Sequence, residues 1–236
     1  MENALNQLLE RLNKAFGDRL VSVVLYGSAA SGDHHEGFSD LNVLCVLQEV
    51  TTRELAASEP VFRWWREKGN PPPMLLSEHE VLTSTDCFAI EFHDIKAHHR
   101  LLHGKDVVSG LVVDNTFYRA QVEHELRAKL LRLRQKASSA LADKDVLRRL
   151  LLDSISTFSV LFRHALLLHG VEVSTKKREV MTEAQKAFGI DPQPFQKLLD
   201  VREERMKARE LEPEPLLDSY LKQINAVIDA VDRLER

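Results

Sequence analysis

The chain has 236 residues, 44% of them hydrophobic and 29% charged, with a net charge of −4. That length holds one large or two small domains, and the balance excludes a disordered, collagenous or disulfide-stapled chain. No run of residues reads as a bilayer span. Met1-Glu2-Asn3-Ala4 lacks the basic start and apolar core of a secretory signal, so the cytoplasm is the expected location.

Charge is uneven along the chain. Residues 1–114 carry 10 Lys/Arg against 17 Asp/Glu, and residues 115–236 carry 22 against 19. An acidic half suits a divalent cation and a basic one suits phosphates, although exposed helices carry Lys and Arg in any case. No basic arm or stripe stands out, so no nucleic-acid partner and no membrane are expected. Cys45 and Cys87 both fall in apolar, strand-like segments and are expected as reduced core thiols.

In chain order, residues 3–16 put Leu5, Leu8, Leu9, Leu12 and Phe16 on one helical face, with Gly17 as the stop. Residues 20–26 and 41–47 are β-branched apolar runs that read as buried strands. Thr51 with Glu54 has capping-box spacing and opens a helix toward Lys68, in which Pro60 is expected to kink or split the rod. Asn70-Pro71-Pro72-Pro73 is a rigid connector before a short strand at Met74–Leu76, and Ser77 with Glu80 repeats the capping box. Residues 88–95 read as a third main strand, and 105–114 as a loop or short extended segment. From Asn115 onward only helices are expected, at about 116–142, 145–169, 175–188, from Asp191-Pro192 to about 210, and from Pro215 to the C-terminus. Strands first and helices afterward predict an α+β protein, with an α/β domain at 1–114 and a helical bundle at 115–236.

The chemistry-bearing stretch is Leu25-Tyr26-Gly27-Ser28, followed by Ser39-Asp40-Leu41-Asn42-Val43. Gly27 lets a backbone approach phosphates where a side chain would clash, and Ser28 adds a hydroxyl donor. Residues two apart on a strand share a face about 6–7 Å apart, so Asp40 and Asn42 point one way. Glu91 and His93 do the same on the strand expected at 88–95, while alternation sends Asp94 to the opposite face as a cap. If the two strands are neighbours, Asp40, Asn42 and Glu91 converge on one site.

This layout resembles nucleotidyltransferases of the polymerase-beta type, over about residues 20–104. The plan is similar to that of kanamycin nucleotidyltransferase, a small catalytic domain followed by a helical one. The resemblance implies a nucleoside triphosphate as substrate or ligand and magnesium, or manganese, as cofactor. It matches Gly27 and Ser28 to the phosphate-binding pair and Asp40 to the first metal carboxylate. Asn42 stands at the second acidic position, and Glu91 is the candidate for the third, with Asp94 as its competitor. Asn42 departs from the family pattern, because an amide oxygen is a neutral, single-point ligand where a carboxylate can bridge two cations. Two functions follow as expectations. One is magnesium-dependent nucleotidyl transfer to an acceptor hydroxyl on a small molecule or protein. The other is a catalytically degraded nucleotide-binding or regulatory protein on the same fold. The sequence leaves the acceptor and a homodimer open.

Weaker signals are also present. His34 and His35 are expected as solvated loop residues, and His93 as the histidine nearest the site. Lys176, Lys177 and Arg178 open a helix, where basic residues oppose the dipole, which makes them candidate phosphate contacts. Arg163 and His169 resemble the motif of helical HEPN-type RNases, at a spacing many helices share by chance.

Overall fold

Two β-branched runs, 20–26 and 41–47, form the centre of a four-stranded mixed sheet. The computed structural model describes residues 1–30 and 41–234, with Ser28 described by its backbone alone. The chain divides into two units, Met1–Phe117 and Tyr118–Arg236.

In the first unit the strands are β1 (Leu20–Tyr26), β2 (Asn42–Leu47), β3 (Met74–Ser77) and β4 (His99–Gly104), in the order β3-β2-β1-β4. β1 runs antiparallel to both β2 and β4, and β3 is parallel to β2. Both faces of the central pair are covered, which is why β1 and β2 read as continuous apolar runs. On one face Val23, Leu25, Val43, Cys45 and Leu47 pack against α1 (Glu2–Phe16) and α2 (Thr52–Glu67). On the other, Val24, Leu44 and Val46 pack with Val81, Phe92 and Ile95 of α3 (Glu78–Thr83) and α4 (Ala89–Ala97). Trp65 is fully buried under α2, while Trp64 is covered by the Arg11 guanidinium 4.3 Å from its ring. Both capping boxes form, Thr51 with Glu54 and Ser77 with Glu80. Glu54 is buried and also pairs with Arg19, so the first turn of α2 is tied back to the end of α1. α2 runs unbroken through Pro60, contrary to the expected split.

The strand expected at 88–95 is instead the helix α4. Ala89, Phe92 and Ile95 recur every three residues and are its buried stripe. In so short an apolar run this spacing competes with strand-like alternation, and periodicity alone does not separate them. The sheet's remaining position is filled by β4, which lies beyond β1 at the edge, half-exposed or exposed throughout, and so lacks an apolar run. Gly104 closes it at φ +77, where a Cβ would sit 2.1 Å from the Val21 carbonyl oxygen. Cys45 is buried as expected, but Cys87 is exposed, because it sits in the turn leading into α4 rather than in a strand.

The second unit is helical: α5 (Tyr118–Ala140), α6 (Lys144–Leu168), α7 (Lys177–Phe188), α8 (Gln193–Arg202) and α9 (Pro213–Asp232). α6 packs against all four others. Its core is an aromatic cluster in which the ring of Phe195 lies 5.2 Å from Phe162 and 4.8 Å from Tyr220, with Phe158 at 5.8 Å from Tyr220. α6 is long and apolar enough to cross a membrane, with a window of mean hydropathy 1.4, more than the sequence reading allowed. Over half of that window is buried inside the protein, as in the core helix of a bundle. α8 stops at Arg202 rather than near 210, and Glu204 two residues later has φ 58, outside the helical region.

Candidate active site

β1 runs out at Tyr26, and the chain turns sharply at Gly27. Gly27 has φ +77, and its missing side chain matters: a Cβ there would lie 3.3 Å from Asn42 Nδ2. The Asn42 amide therefore packs over the Gly27 backbone. Asn42 opens β2 directly opposite Tyr26 in the antiparallel ladder, and His99 opens β4 on the other side of Tyr26. Cross-strand partners share a face, so Asn42, Tyr26 and His99 form one row across the end of the sheet. Two bonds pin this end. The Gly27 N–H donates to the His98 carbonyl at 3.1 Å, and the Leu41 N–H donates to Asn70 Oδ1 at 3.4 Å. The rigid Asn70-Pro connector thus holds the start of β2.

Above this row lies α4, packed on the Gly27–Ala29 turn. Glu91 and Asp94 are one turn apart on α4, both half-buried, flanking its apolar stripe. The Tyr26 phenol feels both. Burial, then the Glu91 charge, then the Asp94 charge push it up to about 12. A half-buried phenol under the influence of two carboxylates stays protonated, because ionising it would add a third negative charge to a poorly solvated spot.

The structure thus places Gly27, Asn42 and Glu91 at one end of the sheet. Asp40 lies outside the described residues, as do His34, His35 and the Ser28 side chain. Glu91 belongs to the site's surroundings as a helical residue, not as a strand residue. The pairing of Glu91 with His93 is overturned, since residues two apart on a helix face different ways. His93 instead bonds Asn115 Oδ1 at 2.6 Å. Asp94, assigned to the far face by strand alternation, joins Glu91 because helical neighbours are three apart. Sequence reasoning missed Tyr26 and His99, and it set Asp94 aside as the competitor of Glu91 on strand alternation; the three-residue recurrence of Ala89, Phe92 and Ile95 was the signal against that alternation.

Hard carboxylate oxygens one turn apart suit magnesium or manganese in kind. Among the described residues, no three His, Cys, Asp or Glu side chains come together to hold a metal. The described donors at this end are therefore the Glu91 and Asp94 carboxylates and the neutral Asn42 amide.

Other candidates resolve differently. Arg178 donates to Asp200 at 2.6 Å and to Glu203 at 3.0 Å, so it braces α7 against α8. Arg163 is buried beside His164, whereas His169 is exposed at the end of α6 with its ring 5.5 Å from Phe188, and the RNase spacing does not build a site. A cavity of about 380 Å³ in the helical unit is lined by Lys197, Glu210, Leu211 and Glu212, but Glu212 already pairs with Lys144.

The model of the nucleotidyltransferase domain matches residues 5–131, more than half of the chain. The chain belongs to the nucleotidyltransferase domain family. A solved structure of similar fold is spectinomycin adenyltransferase AAD(9) from Enterococcus faecialis, crystallised with ATP and spectinomycin. It is 12% identical, with a TM-score of 0.66, and the match covers 99% of this chain and 100% of that one. At that identity the likeness shows a shared fold, including the helical part. A toxin–antitoxin structure with AMP-PNP matches 42% of this chain and 73% of its own at 15% identity, with a TM-score of 0.31, and carries no argument. No curated protein matches.

Proposed function

We propose that this nucleotidyltransferase moves a nucleotidyl group from a nucleoside triphosphate to an acceptor hydroxyl. The observation that carries the reading is the family match over a domain whose Gly27 turn, Asn42 and Glu91 lie at one end of the sheet. The acceptor oxygen attacks the α-phosphorus, the bond to the bridging oxygen breaks, pyrophosphate leaves, and the hydroxyl proton passes to solvent or a base. Gly27 leaves room for the phosphates to approach the backbone, and Ser28 supplies a hydroxyl donor. Asp40 and Glu91 would hold magnesium, or manganese, with Asn42 as a neutral third ligand. Bound there, the cation supplies charge neutralisation at the phosphates and lowers the cost of pyrophosphate departure. The neighbour that was crystallised with ATP and a small molecule supports a nucleotide and a small-molecule acceptor here; a protein acceptor stays open, and the setting is the cytoplasm.

A second reading is favoured by Asn42 itself. With an amide at the second acidic position, the anionic charge that a two-cation transfer needs is reduced, and the protein would bind nucleotide to regulate rather than to react. Pyrophosphate release and label transfer from each of the four ribonucleoside triphosphates, in wild type, Asn42→Asp and Asp40→Ala, separates the two. Wild-type transfer abolished by Asp40→Ala establishes the enzyme. Binding without transfer, with turnover only in Asn42→Asp, establishes the degraded site. Absence of nucleotide binding in all three proteins defeats both.

A further inference from the structure

Resting on that reading, we propose that residues 105–117 are a strap that couples a nucleotide at the Gly27 turn to the start of α5, with the His93–Asn115 pair as its latch. Residues 105–117 form neither helix nor strand. Connections that long are uncommon in a compact domain unless they are disordered or have a working role. This one is tied to its surroundings. The Lys105 N–H donates to the Val21 carbonyl at 2.9 Å. Val108 and Leu111 are buried in the same apolar cluster as Phe92 and Ile95 of α4. Lys96, also on α4, donates from Nζ to the Leu111 carbonyl at 2.5 Å.

Beyond Leu111 the strap changes character. Val112 and Phe117 are exposed, so burial does not hold this outer half down. Its tie to α4 is polar and exposed: the Asn115 Oδ1 accepts from His93 Nε2 at 2.6 Å. Water replaces such a bond at small net cost, so the latch can open while the inner half stays packed. Helix α4 in turn packs on the Gly27–Ala29 turn, and α5 begins at Tyr118, directly after the strap. Turn, helix, strap and α5 are therefore contiguous, and the latch gives that series an element with two states. A nucleotide gripped by the turn and by Glu91 fixes α4. Ordering the strap on a helix already fixed costs less entropy, so the bound nucleotide favours the closed latch.

The experiment is hydrogen–deuterium exchange on the full chain, with and without a non-hydrolysable ATP analogue and magnesium, beside calorimetry of the same analogue. The proteins are wild type, Asn115→Leu and Asn115→Asp, each checked for native circular dichroism. Asn115 is exposed, so both variants are expected to fold. Asn115→Leu keeps the size and removes the accepting oxygen, whereas Asn115→Asp keeps an acceptor. In wild type the analogue should slow exchange of amides 112–117 by about fivefold or more, the lower end for coupled sites. Asn115→Leu should lose that slowing and bind the analogue more weakly by the same factor, because coupling is reciprocal. Asn115→Asp should retain both. Analogue binding without slowing in wild type overturns the strap and leaves the nucleotidyl-transfer reading standing. Slowing that persists in Asn115→Leu overturns the latch. If the analogue binds none of the three proteins, the proposed function fails first, and the coupling with it.

Discussion

Gly27 shows how one residue can matter through what it lacks. An L side chain at φ +77 costs about 1–2 kcal/mol, and its Cβ would press on the Asn42 amide. Gly27→Val should therefore lower stability by about that amount in urea and remove ATP binding in calorimetry. An ATP affinity equal to that of wild type, at matched folded fraction, would take the turn out of the site. The two thiols differ as sharply. Burial pushes Cys45 up to about 12, whereas Cys87 is exposed, with its thiol raised mainly by a hydrogen bond to Asp86. Native protein should release one equivalent of chromophore from a disulfide reagent, slowly, and urea-unfolded protein two. Two fast equivalents from native protein would mean that the β2 core opens readily.

At the scale of elements, α4 and β4 carry the lesson of the site. Eight residues rich in Phe and Ile suggest a strand, but Ala89, Phe92 and Ile95 are buried at helical spacing. The change of period moves Asp94 to Glu91's side and His93 away, so a wrong element type exchanges one candidate site residue for another. The turn after β4 is held by Asp106, which accepts from the Ser109 hydroxyl at 2.5 Å and from the Val108 and Ser109 amides at 3.0 Å. The Ser109 hydroxyl first, then those amides, draw its carboxyl down to about 2. The folded value is below the unfolded one of about 4, so the stabilisation is full above pH 4 and is lost as pH falls toward 2. Urea midpoints measured between pH 5 and pH 2 should fall less steeply below pH 4 in Asp106→Asn than in wild type. Identical slopes would mean that the turn's hydrogen bonds contribute nothing to folding.

At the scale of the whole molecule, each unit carries a core of its own. The first is layered on the two faces of its sheet, and the second is centred on α6 and four interlocked rings. Phe195 is fully buried and touches two of those rings. Phe195→Ala should cost about 3–5 kcal/mol, read as an earlier loss of helical circular dichroism on heating. A shift well below that range would mean that Phe162 and Tyr220 close over the gap. The family match reaches into α5 and the similar solved fold spans both units, so the helical unit belongs to the shared architecture.

The sequence by itself determined the family, the α+β class, β1 and β2, both capping boxes, and the Gly27-Ser28 and Asp40-to-Asn42 motif. These are local: a β-branched run, a cap or a turn is specified by residues adjacent in the chain. The expected boundaries of the long helices α5, α6 and α9 were close for the same reason, since their periodic faces are long enough to fix the period. Tertiary structure decided the rest. α4 is a helix because its stripe packs on Val24 and Leu44, and β4 is a strand because β1 offers a free edge. Neither fact is written in a short apolar run or in a half-exposed one. Which carboxylates join Asn42 and Gly27 depends on that packing, and so the partners of the motif were legible only in three dimensions.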